Sequence, residues 1–309
     1  MLYIKSLTQA VPVFKALGSE LRIRLIQLLL EHKEMNMNEL ASRLGITNGA
    51  LTSHVKKLEE NGIVTILSEH SGHGNQKICR VNVDKILVDV TPSEETTSDN
   101  SYSIEIPVGN YHNYSIYPTC GLATTKKIIG EVDDPRYFAH PEHMDAQIIW
   151  LGKGFIEYRI PNMLPTNHII DKITISFEAS SEAPGVNSDW PSDISFLLND
   201  IPLGYWTSPG DFGDVRGMFT PDWWFPNWNQ YGLLKMLVID KHGTSIDGLK
   251  ISNVSTTQLA LTAQDEMIFR FQIMEPSENI GGLTLFGKNF GNYNQDINVR
   301  ISYKSLSHG

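Results

Sequence analysis

Apolar residues over the first eighty positions recur at helical spacing. Residues 8–18 predict a short first helix ended by Gly18. Ser19 stands as the cap of a longer helix, whose Leu21, Leu25, Leu28 and Leu29 fall on one side. Asn36 and Glu39 have the spacing of a capping box at the start of a third helix, with Leu40, Ala41 and Leu44 on its inner face. Leu51, Val55 and Leu58, at i, i+4 and i+7, mark the buried stripe of a fourth. Between these two, Gly45 supplies a left-handed residue that ends one helix, and Thr47 is a side-chain cap that starts the next. After Gly62 the β-branched run Ile63–Ile66 begins a strand. The polar tip Glu69–Asn75 turns it and Lys77–Val83 returns it. The order is that of a helix-turn-helix followed by a wing, which leaves the outer face of the second helix free to enter a major groove.

Beyond residue 102 the texture changes. Short alternating or apolar runs at 103–108, 148–150, 155–160, 172–178, 194–198, 235–240, 258–261, 267–273, 283–286 and 297–303 are separated by Gly, Pro, Asn and Asp. Many strands without a long helical pattern predict an antiparallel β-sandwich or jelly roll. The stretch 91–102, polar until Tyr102, reads as a linker. The expectation is an α+β, two-domain chain: a winged helix-turn-helix DNA-binding domain over 1–90, a linker over 91–102, and an all-β effector-binding domain over 103–309.

A chain of 309 residues with 41% hydrophobic and 19% charged residues has enough apolar material for two cores. The most apolar helix, near Ile23–Leu30, is interrupted by Arg24 and Gln27, so no membrane span is expected. The first six residues lack an apolar stretch with a cleavage site, and Cys79 and Cys120 do not amount to a disulfide framework, which together predict a cytoplasmic protein. The net charge of −10 is unevenly spread: residues 1–84 hold ten Lys and Arg against eight acids, a balance of +2, which leaves −12 on the remainder. A mildly basic reader joined to an acidic partner suits DNA binding by local geometry, with few phosphate contacts per subunit and hence a dimer.

On the fourth helix the positions outside the apolar stripe are Asn48, Gly49, Thr52, Ser53, Lys56 and Lys57, with Thr47 at the cap and His54 flanking. Asn pairs with adenine bidentately and Thr meets a thymine methyl, so the first turns suit base edges. Lys56 and Lys57 suit phosphates, and His73, Asn75 and Lys77 on the wing suit the adjacent groove or backbone. Phe14–Ile26, Asn38–Ala41 and Leu51–Val64 resemble the winged-helix regulators of the ArsR type over about residues 9–83. The resemblance implies a homodimer on a palindromic double-stranded DNA operator, the first helix helping subunits pair, and repression relieved by an effector. Residues 35–45 lack the Cys-x-Cys of the metal-sensing branch, so neither metal nor cofactor is expected.

Five of the six tryptophans, Trp190, Trp206, Trp223, Trp224 and Trp228, fall within forty residues, interleaved with acids and amides. Aromatic faces stacked on a sugar ring, with Asp211, Arg216 and Asp222 taking its hydroxyls, predict a loop-borne site for a small carbohydrate effector. The competing expectation is that these rings pack a β core. Asp193–Trp206 is similar to a segment of galactose-binding-like and carbohydrate-binding-module sandwiches. The whole chain is similar to ArsR-type regulators of firmicutes with a C-terminal β domain that accompany genes for plant-polysaccharide breakdown, which suggests a pentose or arabinoside. Two alternatives stand beside this: a carbohydrate-active enzyme using Asp193, Asp211 and Asp222, or a dimerisation and docking module without a small ligand. Cys120, Asp133 or Asp134, His140 and His143 form a second polar cluster, open to a metal or a hydrogen-bonded-loop reading.

Overall fold

The computed structural model describes residues 2–4, 6–71, 74–83, 85–88, 90, 100–273 and 276–306. The chain divides into two compact units, Met1–Thr96 and Thr97–Gly309. Of the stretch expected as a linker, residues 91–99 lie outside the described residues, whereas Ser101 and Tyr102 already pair with Ser302 and Ile301 in a strand.

The first unit runs β1 (Leu2–Ile4), α1 (Leu7–Leu17), α2 (Glu20–His32), β2 (Glu34–Asn36), α3 (Met37–Leu44), α4 (Asn48–Glu59), β3 (Val64–Ser71), β4 (Gly74–Val81) and β5 (Ile86–Val88). Its core takes most of the apolar positions that helical spacing singles out, with Leu21 and Leu28 only half-buried against it. Leu25 and Leu29 of α2, Leu40, Ala41 and Leu44 of α3, and Leu51, Val55 and Leu58 of α4 are all buried together. Side chains of Ser6, Asn36 and Thr47 accept the N–H groups of Gln9, Glu39 and Ala50, satisfying donors that each helix start leaves open. Ser19 makes no such bond. The box at Asn36 is half made, because the Glu39 carboxylate turns to Arg43 at 3.1 Å. Gly45 ends α3 in the left-handed region, at φ 67 and ψ 34, a conformation that any Cβ would strain.

Of the two charged residues buried among the described residues of this unit, Arg22 and Arg80, the first is there for a visible reason. Arg22 of α2 donates from Nε to Ala16 O and from Nη2 to Lys15 O, the latter at 2.8 Å. A cation there satisfies carbonyls at the end of α1 that no helical N–H reaches. The wing strands β3 and β4 pair from Val64↔Val81 to Ser71↔Gly74, and β2 adds on the far side of β4. The parallel pair β1–β5 joins segments more than eighty residues apart, which no local pattern signals.

The second unit runs β6 (Ser101–Ile106), β7 (Asn113–Ala123), β8 (Ile148–Ile160), β9 (His168–Ser180), β10 (Ser192–Leu198), β11 (Ile201–Ser208), β12 (Leu233–Asp240), β13 (Gly243–Ile246), β14 (Leu249–Ser252), α5 (Thr256–Leu259), β15 (Met267–Ile273), β16 (Leu283–Phe286) and β17 (Ile297–Ser305). Strand pairs run β11-β10-β15-β8-β16-β9-β12-β13-β14, with β7 on β8 and β17 between β9 and β6, all antiparallel.

β8 turns a corner: residues 148–151 pair with β16, and residues 154–160 pair with β15. The corner is at Gly154, with φ 123, where a Cβ would lie 1.8 Å from Ser115 O. The sheet thereby folds onto itself as a sandwich. Phe177 of β9 meets Phe196 of β10 at 5.5 Å and Phe271 of β15 at 4.8 Å, although β9 pairs with neither strand. Alternation in β15 (Met267, Phe269, Phe271, Ile273 inward) and β17 (Ile297, Val299, Ile301 inward) supplies the shared core.

Two expectations are corrected here. The runs at 148–150 and 155–160 are one strand, because the glycines between them bend it without ending it. The run at 258–261 is helical through Leu259, because Ser255 and Gln258 close a reciprocal capping box ahead of any strand pairing. Among the described residues no helix is long and apolar enough to cross a membrane.

Candidate functional site

On α4 the burial pattern separates two faces cleanly. Leu51, Val55 and Leu58 point inward, while Thr47, Asn48, Gly49, Thr52, Ser53, Lys56 and Lys57 are exposed and His54 is half-buried. Thr52 Oγ1 donates to Asn48 O at 2.8 Å, so its methyl is the part left to face outward contacts. Asn48 Nδ2 donates to Asn38 Oδ1 of α3 at 2.8 Å, which ties the helix start to its neighbour. A Cβ on Gly49 would meet nothing within 4 Å, so that point of the first turn stands clear. Lys56 reaches Glu60 at 3.8 Å, an exposed pair that holds it only weakly. Lys77 of β4 is exposed. Asn75 is paired with His70 in the wing ladder, and His73 lies outside the described residues.

In the second unit the tryptophans part company. Trp224 is 1% exposed and sits with Ala123, Ile148, Trp150, Phe286 and Phe290 in a satellite core. Its Nε1 donates to Asn229 O at 2.8 Å and its ring meets Trp228 at 5.1 Å and Phe290 at 5.0 Å. Trp223 is half-buried and donates to Thr125 O at 2.6 Å. Trp206 lies under the Lys235 ammonium, 4.5 Å from its ring, and that ammonium pairs with Asp247 at 2.5 Å. Arg216 and exposed Asp222 pair with each other at 2.7 Å, and Arg216 also donates to the carbonyls of Pro221 and Asp222. Trp190 is exposed, and its backbone N–H donates to Pro209 O. Most of the conspicuous residues between 190 and 228 therefore support one another: the rings brace the loop before β12 against the sandwich.

What they brace is a cavity of about 160 Å3. Of the eight residues singled out in the sequence for a ligand, Asp211 and Trp228 line it; Trp190, Trp206, Arg216, Asp222, Trp223 and Trp224 do not. The rest of the lining includes Thr119, Asp133, Trp150, Glu182 and Asn229. Asp211 is 1% exposed; its Oδ2 accepts the Ala183 N–H at 3.1 Å and its Oδ1 has no partner. Glu182 accepts from Thr119 Oγ1 at 3.2 Å, from Asn229 Nδ2 at 3.1 Å and from Thr284 Oγ1 at 3.1 Å. Loss of hydration pushes the Asp211 carboxyl up to about 7. Burial, and then the neighbouring Asp211 charge, raises the Glu182 carboxyl above its ordinary value. Glu182 stands alone among small or polar residues, with no periodicity to mark it, and Asp133 is marked in the sequence only as part of the separate Cys120–His143 cluster. Trp150 reads as an ordinary core strand residue. Only chain folding brings them together.

The remaining clusters resolve into scaffolding. Asp193 accepts from Thr207 Oγ1 at 2.7 Å and from Asn279 N at 3.0 Å, so it is committed to joining β10, β11 and the loop before β16. His143 bonds Gly109 O at 2.7 Å and stacks on Tyr111, and His140 accepts from Glu142 N. Asp133 accepts the Cys120 N–H, Asp134 holds Arg136, and Cys120 is buried with its thiol pushed up to about 12 by lost hydration. Among the described residues no three His, Cys, Asp or Glu side chains group closely enough to hold a metal ion.

Residues 19–65 match the family model of the winged helix-turn-helix DNA-binding domain. The transcriptional activator HlyU of Vibrio cholerae is 34% identical over 65 residues, 21% of this chain, and the chain spans 59% of that relative's length. A homodimeric winged helix-turn-helix domain from Mycobacterium bovis, described as a possible ArsR-family regulator, is similar at 23% identity with a TM-score of 0.22, over 24% of this chain and 65% of that one. The carbohydrate-binding module CBM36, solved with calcium and xylotriose, is similar at 7% identity with a TM-score of 0.28, over 65% of this chain and 99% of the module. At those scores the two structures assign neither partner nor ligand.

Proposed function

We propose that this chain is a DNA-binding transcription regulator, acting as a repressor, in which α4 reads an operator and the β-sandwich unit senses a small carbohydrate. The observation that carries the reading is the clean division of α4: one face is spent on the core, and the other offers Asn48, Thr52 and two lysines to solvent on a wing-bearing scaffold. Binding to duplex fragments from upstream of its own gene, followed by fluorescence anisotropy at rising salt, tests it. No binding at low ionic strength would remove the basis of the reading.

The working form is a homodimer. Leu7, Val11 and Phe14 of α1, at i, i+4 and i+7, are 46%, 42% and 48% exposed, an apolar stripe that a second copy would cover. A half-site reader with a charge balance near +2 also gains from two sets of phosphate contacts. Val11→Asp should yield monomers by sedimentation and weaken operator binding while α1 keeps its fold.

The effector reading rests on the cavity bounded by Asp211, Glu182, Asn229 and the rings of Trp150 and Trp228. Polar groups converge there on a small space beside aromatic walls. A ligand acts on the operator only through its differential affinity for two arrangements of the protein. Calorimetry against pentoses, arabinosides and other small sugars, repeated with operator bound, measures that difference. Absence of heat from every sugar would leave a DNA reader with an unassigned β unit.

A further inference from the structure

The cavity is unusual for how its charge is left. Elsewhere in the β unit, buried carboxylates are answered within the chain. Asp247 meets the Lys235 ammonium at 2.5 Å, and Glu157 accepts from Arg270 Nε at 2.6 Å. Glu178, buried and pushed up to about 8, takes the N–H groups of Gly232, Asn292 and Tyr293. The cavity instead presents Glu182 and Asp211, with exposed Asp133, which already accepts the Cys120 N–H, at its edge, and its lining contains no Lys, Arg or His. Glu182 is met by three neutral donors, as Glu178 is, but Asp211, almost wholly withdrawn from solvent, has an oxygen with no donor. Leaving a buried carboxylate half-satisfied costs free energy that an arriving donor recovers. A cation recovers most, since the electron-rich rings of Trp150 and Trp228 add their own attraction. The protein already recognises one ammonium this way, with Lys235 set between an indole and a carboxylate.

We propose that this cavity binds the ammonium group of a small organic cation, of the amino-sugar or amino-alcohol class, with the charge held at Asp211 and Glu182 and the carbon frame against Trp228. The inference rests on the reading of the cavity as the effector site and narrows its ligand from neutral sugars to aminated ones. The volume of about 160 Å3 suits a group of that size and is generous for a bare metal ion, and no three-ligand metal cluster accompanies it among the described residues.

Calorimetry on the full chain with glucosamine, ethanolamine, glucose, arabinose and calcium chloride tests the proposal. The expected result is that glucosamine binds at least ~10-fold more tightly than glucose, the difference a buried charge-assisted contact supplies. Ethanolamine should also bind, and its affinity should rise several-fold from about pH 6 to about pH 8 as Asp211 gives up its proton. Asp211→Asn keeps an oxygen for the Ala183 N–H and should abolish amine binding without lowering the melting temperature. Glu182→Gln is the second variant and should weaken it. Unchanged amine affinity in both variants, or no heat from either amine at millimolar concentration, overturns the proposal. Arabinose or glucose binding as tightly as glucosamine overturns it too, but leaves the carbohydrate reading standing. Asp211-dependent binding of calcium without amine binding overturns it in favour of a metal. Operator binding by the unliganded protein, measured separately, tests the DNA-reading claim and stands or falls apart from all of these outcomes.

Discussion

The winged-helix unit and the β unit use their conspicuous residues in opposite ways. On α4 the residues that stand out as polar on an amphipathic helix are the ones left exposed by the fold. Between Trp190 and Trp228, the residues that stand out by type are mostly consumed internally, as core, as hydrogen-bonded braces, or as the ring beneath Lys235. The difference lies in what sets side-chain direction. A helix fixes which face is outward within two turns, so leftover positions are legible. In a sandwich, loop residues acquire their surroundings from strands far away in sequence, and a large ring is more often needed as packing than as platform.

The contrast breaks most sharply at Trp224. Trp224→Ala should cost ~3–5 kcal/mol in the β unit, as expected for a large buried ring, and should loosen the loop carrying Trp228. Denaturant unfolding followed by tryptophan fluorescence would show it, and an unchanged midpoint would return Trp224 to the surface. Next comes Asp211. Its carboxyl is raised in the folded state to about 7, so it favours folding when protonated, and that contribution is lost as pH climbs from the unfolded value toward the folded one. The unliganded β unit should lose up to ~4 kcal/mol between about pH 4 and pH 8 through this group, the order set by the size of the displacement. Asp211→Asn should therefore melt higher than wild type at alkaline pH and alike at acid pH; equal melting across the range would mean that the carboxyl is hydrated.

On the other side of the comparison, Lys56→Ala with Lys57→Ala should weaken operator binding ~10–100-fold and flatten the salt dependence by about 2 per subunit, with thermal stability unchanged. A salt slope identical to wild type would mean that this end of α4 does not meet phosphate. The smallest effect is expected at Gly45→Ala, about 1 kcal/mol from strain at a positive φ with no accompanying clash. Circular-dichroism melting reads it directly.

Much of the first unit was legible because its signals are local. Leu40, Leu44, Leu51, Val55 and Leu58 declare their faces by spacing, and Gly45 and Thr47 mark the turn by their own chemistry. Cap spacing overreached where an alternative partner was nearer, as when Arg43 took the Glu39 carboxylate. In the second unit, strands with strict alternation such as β15 and β17 were visible, whereas β7, β11, β13 and β14 were not. Those four carry Gly, Pro or Lys and owe their extended form to pairing partners: β7 lies along β8, and β13 exists between β12 and β14.

Periodicity and residue chemistry by themselves determined the helix order, the cap and turn between α3 and α4, the outward set on α4, and the antiparallel β character of the chain beyond residue 102. Tertiary structure alone decided that Asp211 would meet Glu182 and Trp150 rather than Asp222 and Trp223, because those neighbours come from different strands and loops. Helical direction is written in three or four consecutive residues, whereas the burial of a loop carboxyl depends on which distant strands close over it.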